Sequence, residues 1–375
     1  MKIKYCGSAK DYSGYGEASR HDIAALVGAG VEVTTEIPKY TLELSDFGPL
    51  GAIATEREGL PLGYRVKILH TTPNVYRQYM EVGKYHIGRV FWETNKLPLA
   101  FSTNVQMMDE IWTGSQYNAD AIKNAGVTKP IYIIPEAIDT DISEDIKPYI
   151  TANETDYRFY SIFEWTERKN PGALLEAFWL EFKDTKNVSL TIKTYIDNFN
   201  PEKKNELKKY IKKIKRRLNL NIYAPVYIYS KLMERRQIYR FHKSFDCFVS
   251  AHRGEGWGIP QMEALLMSRP IISTNCGGIH EYLIDKQNAI LIPYKHSGVA
   301  NNRNTQWYTP DQKWADVDIE ELRKAMRWVF ENRDKAKEMG EKGSGCVKSK
   351  FSLEAVGKLI RERLTEIQKE IGTKL

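Results

Sequence analysis

The sequence predicts an α/β protein of two Rossmann-like domains, each built on a parallel sheet. Three observations carry this. The chain has 375 residues, too many for one ordinary core. Short β-branched and aromatic runs alternate with helical stretches along its length. Glycine-bearing loops follow several of the expected strands, where doubly wound sheets bind their ligands.

Six strands are expected first, at Lys2–Cys6, Val31–Glu36, Val66–His70, Gly88–Trp92, Glu110–Thr113 and Ile131–Pro135. Six more are expected at Tyr157–Phe163, Val188–Thr194, Val226–Tyr229, Asp246–Ser250, Pro270–Thr274 and Ala289–Ile292. The polar stretch Asp139 to Thr155 lacks a sustained period. It sets a boundary between a domain over 1–150 and one over 151–352. The tail from Asp318 to Glu370 reads as helix. The segment Tyr40 to Tyr64 reads as irregular and fits no motif.

Hydrophobic residues at 42% and charged residues at 27% fit a soluble globular chain. Met1 to Asp11 lacks the apolar core of a signal peptide, and no run has the roughly 18 apolar residues of a membrane span. Cys6, Cys247, Cys276 and Cys346 show no metal-binding spacing. Cys6 and Cys247 fall in expected buried strands, so a reducing, cytoplasmic setting is expected.

The net charge of +7 is concentrated. Lys203 to Arg217 holds nine Lys/Arg and one Glu, a charge of +8 that leaves about −1 for the remainder. Leu207, Tyr210, Ile211, Ile214 and Leu218 recur there at helical spacing. The plain reading is a surface helix packed on a sheet with its basic face in water. The functional reading is attraction to an anionic acceptor or an anionic membrane surface. Nucleic acid is disfavoured, because few aromatics interleave with the cations.

The chemistry concentrates between Glu255 and Glu263, which reads E-G-W-G-I-P-Q-M-E. Gly254, Gly256 and Gly258 let the backbone turn tightly and approach a ligand. Pro260 suits the first turn of a helix. A glycine loop that feeds a helix N-terminus is a seat for phosphate. Glu255 is expected on the loop and Glu263 about one turn inside the helix. Carboxylates there make sense as acceptors for sugar or ribose hydroxyls.

The longer run from Ser250 to Glu281, S-x4-E-G-W-G-x-P-x2-E-A-x5-P-x-I-x-T-x2-G-G-x2-E, resembles the retaining glycosyltransferases of family 4 and their E-x7-E motif. The resemblance implies the GT-B fold: two Rossmann-like domains facing a central cleft, with a C-terminal helix, here Leu353–Ile371, crossing back to the first. It implies a nucleotide-sugar donor carried on UDP or GDP, no cofactor, no metal, and an acceptor read by the first domain. Glu255 then serves the donor sugar hydroxyls, with backbone N–H groups of Gly256, Trp257 and Gly258. Glu263 serves the ribose. Tyr229 and Ser230 lie where the family grips the base. Arg168 and Lys169, just before a helix expected at Pro171, meet the diphosphate. Lys169 matches the family's Lys, whereas Glu164 stands where the family has Arg. Gly14 and Gly16, after the first strand, match a family glycine pair loosely, and a plain strand-to-helix turn explains them as well. Glu93 stands near a His or acidic position of the family, and His70 competes with it.

Two other readings fit the same residues. One is a nucleotide-sugar-binding subunit of weak activity that needs a partner, which Glu164 favours. The other is a nucleotide-sugar epimerase on the same fold.

Overall fold

The computed structural model describes residues 1–38, 47–141, 146–149, 156–196, 203–299 and 307–372. The chain forms two compact units. The first is Met1–Ile142 with Arg303–Gln312 and Lys348–Leu375; the second is Ser143–Asn302 with Lys313–Val347.

In the first unit, β1 (Lys2–Gly7), β2 (Glu32–Glu36), β3 (Val66–His70), β4 (Tyr85–Arg89), β5 (Glu110–Thr113) and β6 (Ile131–Ile133) form one sheet in the order β2-β1-β3-β4-β5-β6. All of its pairings are parallel. The helices are α1 (Gly14–Gly28), α2 (Gly48–Thr55), α3 (Tyr76–Tyr79), α4 (Leu99–Val105) and α5 (Gln116–Asn124).

The second unit holds β7 (Tyr157–Glu164), α6 (Pro171–Phe182), β8 (Val188–Tyr195), α7 (Lys204–Leu218), β9 (Val226–Tyr229), α8 (Arg235–Lys243), β10 (Cys247–Ser250), α9 (Ile259–Leu266), β11 (Ile271–Thr274) and β12 (Ile290–Ile292). Its sheet order is β12-β11-β10-β7-β8-β9, parallel throughout. A hairpin of β13 (Tyr294–Gly298) and β14 (Lys313–Val317) follows, then α10 (Ile319–Glu331) and α11 (Arg333–Lys350). One sheet face packs Phe159, Leu190 and Ile192 with Phe178, Trp179 and Phe182 of α6, Ile214 of α7 and Met326 of α10. Tyr160 and Lys193 alternate to the other face, where the Tyr160 ring meets Phe241 and His242 of α8.

The last helix, α12 (Leu353–Gly372), belongs to the first unit. Val356, Ile360, Leu364 and Ile367 share a core with Ile23 and Leu26 of α1. Gly357 permits that approach, since a Cβ there would lie 2.5 Å from the Ala25 carbonyl oxygen. Arg363 anchors the helix by a 2.6 Å ion pair to Glu110, which is fully buried on β5.

All twelve expected sheet strands are present, but the fourth begins earlier, at Tyr85, and ends at Arg89. Its sequence Y-H-I-G-R hides polar groups that the fold satisfies: Arg89 pairs with Asp22 at 2.9 Å. Phe91 and Trp92 are buried beyond the strand, and Trp92 Nε1 donates to Thr94 Oγ1 and the Lys96 carbonyl. Part of Tyr40 to Tyr64 is helical, as α2; the stretch 40–46 lies outside the described residues. The β13–β14 hairpin was not expected, nor was the return of 307–312 to the first unit. There Trp307 packs on Phe101, Tyr308 stacks on Trp92, and Asp311 pairs with Lys96. In α7, Leu207 and Ile214 are buried as expected, while Tyr210, placed on the apolar face by its spacing, is 42% exposed.

Candidate functional site

In the second sheet the chain starts at β7, winds to β8 on one side, and later returns to β10 on the other. The loops after β7 and β10 therefore flank a topological switch point, where open α/β sheets bind ligands. After β7, Asn170 takes a left-handed conformation, and its Oδ1 caps α6 by accepting from the Ala173 N–H at 3.3 Å. That turn presents Arg168 and Lys169 to the loop after β10. Arg168 donates to the Gly254 carbonyl at 2.8 Å and lies 3.8 Å from Glu255. The Lys169 ammonium hydrogen-bonds the Glu255 carboxylate. Burial alone would push the Glu255 carboxyl up; Lys169 and Arg168 override it and hold it at about 2.

The glycines position this loop. Gly258 has φ +94° and caps α9, and the Tyr282 hydroxyl donates to the Trp257 and Gly258 carbonyls. A Cβ on Gly278 would lie 2.0 Å from the Gly256 carbonyl oxygen, and the Gly278 N–H donates to the Glu255 carbonyl at 3.0 Å. Gly278→Ala is therefore expected to push the 255–256 backbone aside and cost about 1–3 kcal/mol. A thermal melt of that variant checks it, and an unchanged melting temperature would show that the loop gives way freely.

Glu263 is buried on the fifth position of α9. One of its oxygens accepts from the guanidinium of Arg235, the first residue of α8. The other lies 3.2 Å from His242 Nε2, and His242 Nδ1 lies 2.8 Å from the Tyr160 hydroxyl. A carboxylate only accepts, so Nε2–H donates to Glu263 and Nδ1 accepts from Tyr160. Burial lowers His242 despite its bond to Glu263. Lys193, on β8, is buried nearby, and burial pulls it down to about 8 against the attraction of Glu263.

The other expected residues fall as follows. Trp257 is buried, with Nε1 on Met262 Sδ at 3.2 Å, so its indole belongs to the loop's support. Tyr229 ends β9, its hydroxyl 2.8 Å from that of Tyr149, and Ser230 follows it. In the first unit, Gly14 opens α1 behind the Ser13 cap. Gly16 faces the Asp11 carbonyl where a Cβ would lie at 2.0 Å, so its lack of side chain serves the turn. Glu93 is half-buried four residues beyond β4, and its carbonyl accepts from the Tyr117 hydroxyl. His70 ends β3 fully buried, 2.5 Å from the Tyr5 hydroxyl, and burial holds it down at about 3. Arg235, His242, Lys193 and His252 were not anticipated. His252 is buried between Ser250 Oγ and the Cys276 carbonyl. Only His252 lay inside the motif run, where a histidine directly after a strand was a usable signal. Among the described residues, no three His, Cys, Asp or Glu side chains gather to hold a metal, and no helix is long and apolar enough to cross a membrane.

Residues 143–313, just under half of the chain, match the family model described as "Glycosyl transferases group 1". Sucrose-phosphate synthase from Thermosynechococcus elongatus is similar in structure at 13% identity and TM-score 0.70, covering 99% of this chain and 100% of that one. Anabaena HepE in complex with UDP and glucose is similar at 15% identity and TM-score 0.64, covering 98% of this chain and 100% of that one. The fold is GT-B. S. aureus TarM, in a complex with Fondaparinux, alpha-GlcNAc-glycerol and UDP, matches at 16% identity and TM-score 0.58 over 78% of this chain. This chain spans about half (53%) of TarM's length. No curated protein sequence matches the chain. The family-model match covers most of the second unit.

Proposed function

We propose that this protein transfers a sugar from a nucleoside-diphosphate sugar to an acceptor hydroxyl, with retention of configuration and without a metal ion, as a member of family 4. The carrying observation is the pairing of buried Glu255 with Lys169 and Arg168 at the switch point, beside the Gly258-capped helix. Glu255 and the backbone of Gly256 and Trp257 take the donor sugar hydroxyls. Arg168 and Lys169 take the diphosphate as charge grows on the leaving group. Glu263 takes the ribose, and the backbone at Tyr229 and Ser230 the base. The acceptor oxygen bonds to the anomeric carbon on the face the diphosphate leaves, and its proton passes to a donor phosphate oxygen.

UDP is the favoured carrier, because HepE forms complexes with UDP-glucose and the pneumococcal GtfA with UDP and GlcNAc. The first unit takes the acceptor; its Gly14 and Gly16 offer backbone N–H groups to the donor, and Glu93 faces the donor sugar and the acceptor as a catalytic group. The exposed cations of α7 favour an anionic acceptor or one at an anionic membrane surface of the cytoplasm. Titration with UDP-, GDP-, ADP- and TDP-sugars, with and without chelator, tests the reading. One selective donor is expected to bind and to hydrolyse slowly in chelator, releasing a sugar of unchanged anomeric configuration by NMR. Inversion would remove the retaining assignment, and dependence on Mg²⁺ the metal-free one. Glu164 at the end of β7 favours a second reading, a binding subunit of weak activity. Donor binding without any hydrolysis would select it.

A further inference from the structure

In this structure both carboxylates of the motif hold a cation: Glu255 holds Lys169, and Glu263 holds Arg235. The two partners of Glu263 differ in freedom. The His242 side chain is fully buried and tied to Tyr160, whereas the Arg235 side chain is 27% exposed over a carboxylate that is 3% exposed. Arg235 therefore lies on the open side of Glu263, and a hydroxyl that reaches this carboxylate meets the guanidinium first. Arg235 also stacks over the Tyr239 ring and donates to its hydroxyl at 2.8 Å, which gives it a second resting contact. Arg168 and Lys169 face Glu255, and Arg235 and Lys193 face Glu263. Glu164, which ends β7, supplies no positive charge, and Glu255 offsets part of the charge of Arg168 and Lys169, so a diphosphate beside them gains from a third cation.

We infer that Arg235 is a diphosphate-binding residue held in reserve on Glu263, and that donor binding exchanges its partner. This rests on the donor reading proposed above. Ribose hydroxyls replace the guanidinium on Glu263, and the released guanidinium takes two oxygens of the diphosphate, an anion that suits its planar fork. One carboxylate–guanidinium contact is lost; one carboxylate–hydroxyl and one guanidinium–phosphate contact form. Lys193 stays behind to compensate the buried carboxylate.

The test compares nucleosides with nucleoside diphosphates. Uridine, UDP, guanosine and GDP are titrated by calorimetry into the full-length wild type, Arg235→Gln and Arg235→Lys, with circular dichroism confirming each fold. For the base that binds, Arg235→Gln is expected to weaken the diphosphate roughly tenfold or more, the worth of a charge-assisted hydrogen bond. Nucleoside affinity is expected to hold or to rise, because Glu263 is easier to reach. Arg235→Lys is expected to recover part of the diphosphate affinity, in a salt-sensitive way. An equal loss for nucleoside and diphosphate would mean that Arg235 only orients Glu263, and would overturn the inference, as would no loss at all. A wild type that binds UDP or GDP while the variants behave this way leaves the donor reading standing whatever Arg235 does. A wild type that binds neither is titrated in the same way with ADP, TDP and their nucleosides, and binding of none of the four diphosphates overturns the donor reading, and the exchange with it.

Discussion

Lys169→Ala is expected to lower kcat by about 10²–10³-fold, the usual cost of losing one preorganised group at a developing charge. The same change acts on the fold. Glu255 and Lys169 are both largely buried, and among the described residues the ion-pair partner left to the carboxylate is Arg168, 3.8 Å away. Removing one member of a buried pair costs about 3 kcal/mol, so a lower melting temperature is expected beside the slower turnover. The pH dependence follows from the direction of the shift. Glu255 is held at about 2, below its ordinary 4.5. Its stabilising contribution is complete above about 4.5 and is lost as pH falls from there through about 2. Without Lys169 the carboxyl rises, so acid unfolding of the variant begins at higher pH. Rates and acid melts together check this; a wild-type rate would remove Lys169 from the site.

Glu263→Ala is expected to have the largest effect on stability. It leaves the Arg235 guanidinium and the buried His242 N–H without their acceptor. Breaking such a pair costs about 3–5 kcal/mol. Nucleotide binding is expected to fall as well, by about 1.5–3 kcal/mol for a lost charged acceptor. Glu263→Gln keeps the volume and one carbonyl oxygen, so it is expected to melt higher than the alanine variant while still binding nucleotide weakly. Thermal melts and UDP titration of both separate the two contributions. Unchanged nucleotide affinity in both variants would leave Glu263 a purely structural residue.

The parallel α/β architecture was legible because buried parallel strands read as short apolar runs. Val66–His70 and Glu110–Thr113, buried throughout, have the boundaries their sequences predict, as does the partly exposed edge strand Val226–Tyr229. Tyr85–Arg89 was displaced in the reading because its polar side chains find partners far along the chain. Arg89 reaches Asp22 and donates to the carbonyl of Ile134. The helix over 48–55 was missed because it is short and weakly patterned.

The candidate site divides the same way. Glycine spacing, Pro260 and the two glutamates are local, and by themselves they specified a loop entering a helix, with one carboxylate on each. Arg168 and Lys169 were likewise readable as the lead into a helix at Pro171. Which charges meet was decided only by tertiary structure. Lys169 and Glu255 are 86 residues apart, and Arg235 and Glu263 are 28 apart, on elements that the strand order brings together. No local period encodes such pairs, because their energy arises when burial removes water from both partners at once. Sequence thus determined most of the secondary elements and the chemical types at the site; the parallel pairing of β7 with β10 and the packing of α8 on α9 decided the partners, since burial there forces those charges to compensate one another.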